Sequence, residues 1–125
     1  MQQITAPTAP APAGPYSQGI VSGGLLFLAG QGPFNAESEI VGATFAEQVA
    51  QTFANLEAVA AAAGTSMRHA VRIGVYLNDM AHWPEFNEAS KQYLGAPYPA
   101  RTSIQADLSG FLVEIDAVVA MPAGE

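Results

Sequence analysis

Cysteine is absent from the 125 residues, which excludes disulfides, a thiol nucleophile and thiolate metal ligands. Basic residues are scarce: Arg68, Arg72, Lys91 and Arg101 stand against eleven carboxylates, for a formal charge of -7, and form no run or stripe. Binding nucleic acid through its phosphates needs clustered cations, so nucleic acid is not an expected partner. His69 and His82 are the only histidines, neither has a partner at ligand spacing, and no metal site is expected. Apolar runs break at Gly, Pro or a charge after a handful of residues, short of the ~20 that a membrane helix requires. Met1 to Pro15 offers neither the basic nor the apolar region of a secretory signal, so a cytoplasmic location is the expectation.

What is present is apolar residue in quantity, 50% of the chain, enough for one core in a single domain over 1–125. Residues 1–12 read as an Ala/Pro-rich arm, and Pro7, Pro10, Pro12 and Pro15 predict an extended, partly disordered segment without internal hydrogen bonds. Ile20-Val21 and Leu25 to Ala29, separated by Ser22-Gly23-Gly24, predict a hairpin. Gly30-Gln31-Gly32-Pro33 is too rich in Gly and Pro to continue the ladder and predicts a loop at the strand end.

Thr44 and Glu47 have capping-box spacing, and Phe45, Val49, Phe53, Leu56 and Val59 follow at helical intervals until Gly64. Val71, Ile73, Val75 and Leu77 alternate with Arg72, Gly74, Tyr76 and Asn78, the period of a half-buried strand. A second helix is expected from Asp79, with Pro84 in its first turn and Gly95 closing it. Two strands complete the chain, Thr102 to Leu108 and Phe111 to Met121. The order β-β-α-β-α-β-β predicts an α+β fold, a single twisted mixed sheet with both helices on one face. In the last strand Leu112, Val118 and Ala120 are apolar although they oppose the apolar set Phe111 to Met121, so part of the uncovered face is expected to meet another subunit.

Glu114 and Asp116 interrupt that strand on one face, because residues two apart point the same way. They read either as a solvated face or, for Glu114 under a covering subunit, as a general base tuned by burial. Arg101, following Pro99-Ala100, can grip a carboxylate through its planar fork or form an ordinary ion pair. Tyr16, after Gly14-Pro15, offers a hydroxyl or simple packing.

Gly14-Pro15-Tyr16-Ser17-Gln18, Gly30-Gln31, Asn87, Pro99-Ala100-Arg101-Thr102 and Val113-Glu114-Ile115-Asp116-Ala117 together, in order over residues 12 to 120, resemble the RidA/YjgF family. The resemblance implies a chorismate-mutase-like fold, a homotrimer with active sites in the clefts between subunits, and no cofactor. It implies hydrolysis of enamine/imine intermediates such as 2-iminopropanoate and 2-iminobutanoate to the 2-keto acid and ammonia. By position, Arg101 would bind the substrate carboxylate and Glu114 would activate the water, while Tyr16, Gly30, Asn87 and the main chain around Ser103 would line the pocket. Ala29 stands where the best-characterised deaminases have Ser, and Ser103 where they have Cys; the first change removes a hydroxyl from the implied pocket and bears on substrate range or rate. The alternative within the same family is a trimeric binder or regulator of small carboxylates without turnover, which would need Arg101 but not Glu114.

Overall fold

Gly23 and Gly24 take φ of 62° and 78°, left-handed values that glycine adopts without strain, and fold strand β2 (Gly19–Ser22) back on β3 (Leu25–Gln31). The computed structural model describes residues 1–122, and within it this hairpin starts a six-stranded sheet. The remaining strands are β1 (Gln2–Ile4), β4 (Ala70–Leu77), β5 (Ala100–Gln105) and β6 (Val113–Ala120), in the order β1-β2-β3-β6-β4-β5. Only β4 and β5 pair in parallel. A parallel pair needs a crossover, which helix α2 (Trp83–Ser90) supplies, while α1 (Phe45–Ala63) links β3 to β4 on either side of β6.

Both helices lie on one face, giving the expected α+β architecture. Phe45, Val49, Phe53, Leu56 and Val59, the stripe read from the sequence, are all buried against Leu26, Ile73, Val75 and Ile115 of the sheet. The capping box forms: Thr44 Oγ1 accepts from the Glu47 N–H at 3.2 Å, and Glu47 Oε1 accepts from the Thr44 N–H at 3.0 Å. Gly64 closes the helix at φ 90°. Of three polar residues on the buried side of α1, Asn55 and Gln48 tie down loops and Thr52 bonds within the helix. Asn55 Nδ2 donates to the Gly32 and Phe34 carbonyls at 3.0 and 2.8 Å, Thr52 Oγ1 donates to the Gln48 carbonyl, and Gln48 Oε1 accepts from the Leu112 N–H at 2.9 Å.

The structure departs from the sequence reading in six places. Residues 2–4 form a strand, β1, paired with β2, so the element order opens with an additional β. The arm that follows lies against the core, with Ala6 and Ala9 buried, because the buried Gln18 side chain supplies the partners that its prolines leave out. Gln18 accepts from the Ala6 N–H at 2.6 Å and donates to the Ala6 and Pro10 carbonyls at 3.1 and 2.8 Å. β3 runs through Gly30 to Gln31 instead of ending at Ala29, since a bulge between Leu28 and Gln31 absorbs one residue. A second bulge, between Ala70 and Arg72, turns Val71 out to solvent and gives its core place to Ala70.

The helix expected from Asp79 is divided. Asp79 Oδ1 caps a 3-10 turn (Met80–His82) by accepting from the Ala81 N–H, and α2 stops at Ser90. Tyr93 stacks on Phe53 at 4.6 Å, and Gly95 serves close approach, since a Cβ there would lie 2.6 Å from the Arg68 carbonyl oxygen. The last two strands are also shorter than read, β5 ending at Gln105 and β6 starting at Val113.

Gln18→Ala removes the side-chain partner of the Ala6 N–H and of the Ala9 and Pro10 carbonyls, whereas the Ala6 carbonyl keeps the Ala9 N–H. Chemical denaturation should show a loss of about 2–4 kcal/mol at the usual cost of unmet buried polar groups, and hydrogen exchange should show the Ala6 amide losing protection.

Candidate active site

β6 alternates as its sequence demands. Val113, Ile115, Ala117 and Val119 are buried under the helices, and Glu114, Asp116, Val118 and Ala120 are half-buried on the open face. The β3 bulge places Gly30 beside Glu114, where any Cβ would overlap Glu114 Oε2, so the absent side chain is the space the carboxylate occupies. Tyr16 closes the same cleft, a cavity of about 300 Å³ that also touches Gln18 and Phe34. The Tyr16 oxygen accepts from the Ala13 N–H at 3.1 Å, which leaves its own O–H free to donate. Ala29 lies on this side, held by its N–H donating to the Gln18 carbonyl at 3.0 Å. Burial pushes the Glu114 carboxyl up from its ordinary value, and the neighbouring charge of Asp116 pushes it the same way.

Arg101 is elsewhere. It pairs with the buried Ile73 in the β4–β5 register and therefore points to the helix side of the sheet, at its edge. Its guanidinium sits 5.5 Å from the centre of the Phe86 ring, and Nη2 donates to Asn87 Oδ1 at 2.6 Å. Partial burial lowers its pKa from the ordinary value. These two residues share a cleft of about 210 Å³ with Tyr98 and Pro99. Ser103, two residues on, keeps a buried hydroxyl that has no hydrogen-bond partner among the described residues. Among those residues Arg101 forms no ion pair.

The sequence-selected residues thus fall into two groups on opposite faces of one sheet. Tyr16, Gly30 and Glu114 are brought together in one cleft beside the open face, Ala29 next to Gly30 is not among the residues lining it, and Asn87, Arg101 and Ser103 lie on the helix face. β4 stands between them, and among the described residues Glu114 and Arg101 line two different clefts.

Asp116 is not a merely solvated carboxylate. It accepts from the Gly74 N–H at 3.1 Å and the Tyr76 hydroxyl at 2.9 Å, and Arg72 lies 3.6 Å away. The hydrogen bond to Asp116 raises the Tyr76 pKa. Sequence reasoning missed this network; its signal was a glycine, Gly74, in the middle of an apolar strand. Among the described residues no group of three His, Asp or Glu side chains could hold a metal ion, and no helix is long and apolar enough to cross a membrane.

The family model described as Endoribonuclease L-PSP matches residues 6–121. The chain belongs to the RidA/YjgF/RutC family. A relative from Dermatophagoides farinae named 2-iminobutanoate/2-iminopropanoate deaminase is 33% identical over 119 residues, covering 93% of each chain. The crystal structure of RidA from the Antarctic bacterium Psychrobacter superposes with a TM-score of 0.90 at 34% identity, over 97% of this chain and 100% of that one. E. coli TdcF with bound serine superposes at 0.88 with 29% identity, over 98% and 100%. The family therefore includes an imine deaminase by name, alongside members named only for the family.

Because the native state favours neutral Glu114, this group contributes stability at low pH that is lost as pH rises through its raised native pKa. Glutamine mimics the neutral acid. Glu114→Gln should therefore melt at the wild-type temperature under acid conditions and above it at neutral pH. Differential scanning calorimetry across that range checks both halves.

Proposed function

We propose that this chain hydrolyses 2-imino acids of the 2-iminopropanoate and 2-iminobutanoate type to 2-keto acids and ammonia, as a cytoplasmic homotrimer with its active sites between subunits. The observation that carries the reading is the division of the candidate residues between two faces. A carboxylate grip at Arg101 and a base at Glu114 can serve one small substrate only if a second copy brings its β5 edge to the open face of the first. That face supports a subunit contact, since Phe27 and Ile104 are 45% and 47% exposed there and Ile20 and Val118 are only half-buried. The relatives add support through a deaminase's name and through a neighbour that holds serine, itself a small carboxylate.

In this reading Asn87 Oδ1 engages one N–H of Arg101 and leaves the rest of the fork to grip the substrate carboxylate bidentately. Glu114 of the adjoining copy takes a proton from water as the water oxygen bonds to the imine carbon, and the C=N electron pair moves to nitrogen. The nitrogen takes that proton back from Glu114, giving the neutral carbinolamine. Glu114 then removes the hydroxyl proton as the C=O bond forms and the C–N bond breaks, and passes it to the departing nitrogen, so that ammonia leaves and the keto acid remains. The Tyr16 hydroxyl is free to orient the water or the nitrogen. Imines hydrolyse readily, so positioning and one base suffice.

A carboxylate binder without turnover is the second reading, favoured by the neighbour holding serine, and Glu114 decides between them. The nuclease chemistry in the family description has less to stand on, because four scattered basic residues against eleven carboxylates offer no phosphate track.

With 2-iminopropanoate generated in situ and ammonia or pyruvate measured, Glu114→Gln should lose about 10²- to 10⁴-fold in hydrolysis. The variant should keep its affinity for a 2-keto acid by calorimetry; unchanged hydrolysis would leave the binder. Arg101→Lys should lose about 10- to 100-fold in kcat/KM, since a point charge cannot replace the fork.

Light scattering should return three times the 13.0 kDa of one chain, and a monomer mass would sink the assembly. Trimers purified to contain both the Arg101→Lys and the Glu114→Gln chain should regain about one third of wild-type activity, because one interface in three then pairs two native residues. Activity no higher than that of the parent variants would mean that the site lies within one chain.

A further inference from the structure

Two glycines flank β6 at the level of its two carboxylates. Gly30 on β3 leaves the space into which Glu114 leans, and Gly74 on β4 leaves the space for Asp116, where a Cβ would lie 2.5 Å from Asp116 Oδ1. The two carboxylates share a strand face, yet they lean to opposite neighbouring strands. Three donors converge on Asp116 alone: the Gly74 N–H, the Tyr76 O–H and the Arg72 guanidinium. Donors without a competing acceptor are what a carboxylate anion requires. Tyr76 sits directly across from Glu114 in the β4–β6 register but spends its hydroxyl on Asp116.

We propose that Asp116 is a positioning residue for Glu114, an anion fixed over β4 that holds the Glu114 carboxylate on the Gly30 side of β6 and keeps it a strong base. This rests on the reading of Glu114 as the general base. Within one chain the charged and titratable groups on the face around Glu114 are Asp116 on its own strand, Tyr76 and Arg72 on β4, and Tyr16 from the segment before β2, while β3 presents only the Gly30 backbone; in the assembly proposed above, Arg101 of the adjoining copy adds a cation that every variant here retains. Asp116 is the one anion among them. Repulsion between like charges favours the protonated partner, and this acts on Glu114 in the same direction as its burial. Arg72 partly offsets the charge of Asp116, so its removal should act in the opposite sense to the removal of Asp116 itself.

Opposite shifts are what a purely structural role would not produce. The Glu114 carboxyl is titrated by 13C NMR, and the acid limb of kcat/KM for 2-iminopropanoate is followed, in the wild type, Asp116→Asn, Arg72→Gln and Glu114→Gln. In Asp116→Asn both the titration and the limb should move to lower pH, with the plateau falling about 3- to 10-fold as the base weakens. In Arg72→Gln both should move to higher pH. An unmoved titration, or movement in the same direction in both variants, overturns the assignment. If Asp116→Asn fails to fold, Asp116→Ser takes its place, a downward shift of the Glu114 titration supporting the role and no shift refuting it. An acid limb that survives in Glu114→Gln identifies a different failure, that of Glu114 as base, whereas a limb lost there but unmoved in the other two variants removes only the role of Asp116.

Discussion

One-sided burial of β6 is the constraint from which the rest follows. This strand lies between β3 and β4, near the middle of the sheet, and its odd-numbered residues from Val113 to Val119 are buried on the side that packs against α1. Strand geometry then sends every even-numbered side chain to the face without helices. An apolar strand with two carboxylates on that face would be poorly placed in a closed core. Here the face is open, and each flanking strand carries a glycine beside one of the carboxylates, so both acids find room.

The second consequence is separation. β5 is an edge strand with its Arg101 turned to the helix side, where Phe86 supports the guanidinium and Asn87 orients it. Glu114 is on the other side, with β4 intervening. Neither group has the complement that hydrolysis of a small imino acid needs, which is why the functional reading and the assembly reading stand together. The open face carries the exposed Phe27 and Ile104, and the Ser103 hydroxyl, unpartnered among the described residues, lies on the edge strand.

The floor and rim of the Glu114 cleft depend on polar contacts remote from any reacting atom. Asn55 fixes the loop after β3, Gln48 fixes the approach to β6, and Gln18 clasps the arm whose residues form one wall of the cavity. These amide side chains are buried, and each satisfies backbone groups that the Gly- and Pro-rich loops leave unpaired. Stability of the arm and shape of the cleft are thus one problem, solved largely by a single glutamine.

Local chemistry was legible in the amino-acid sequence alone: the glycine turn of the first hairpin, the capping box and core stripe of α1, the alternation of β6, and the ordered short motifs that identify the family. Each depends on neighbours within a few residues, or on a periodicity that burial imposes directly. What only the tertiary structure decided involves partners far apart in the chain. β1 has three residues and no pattern of its own, and it exists because β2 offers an edge. The bulges at Ala29-Gly30 and Val71 shift register by one residue, an effect that pairing partners reveal and composition does not. The division of Arg101 from Glu114 follows from strand order, since a β-strand dictates which residues share its own face but not which face of the sheet its neighbours will cover.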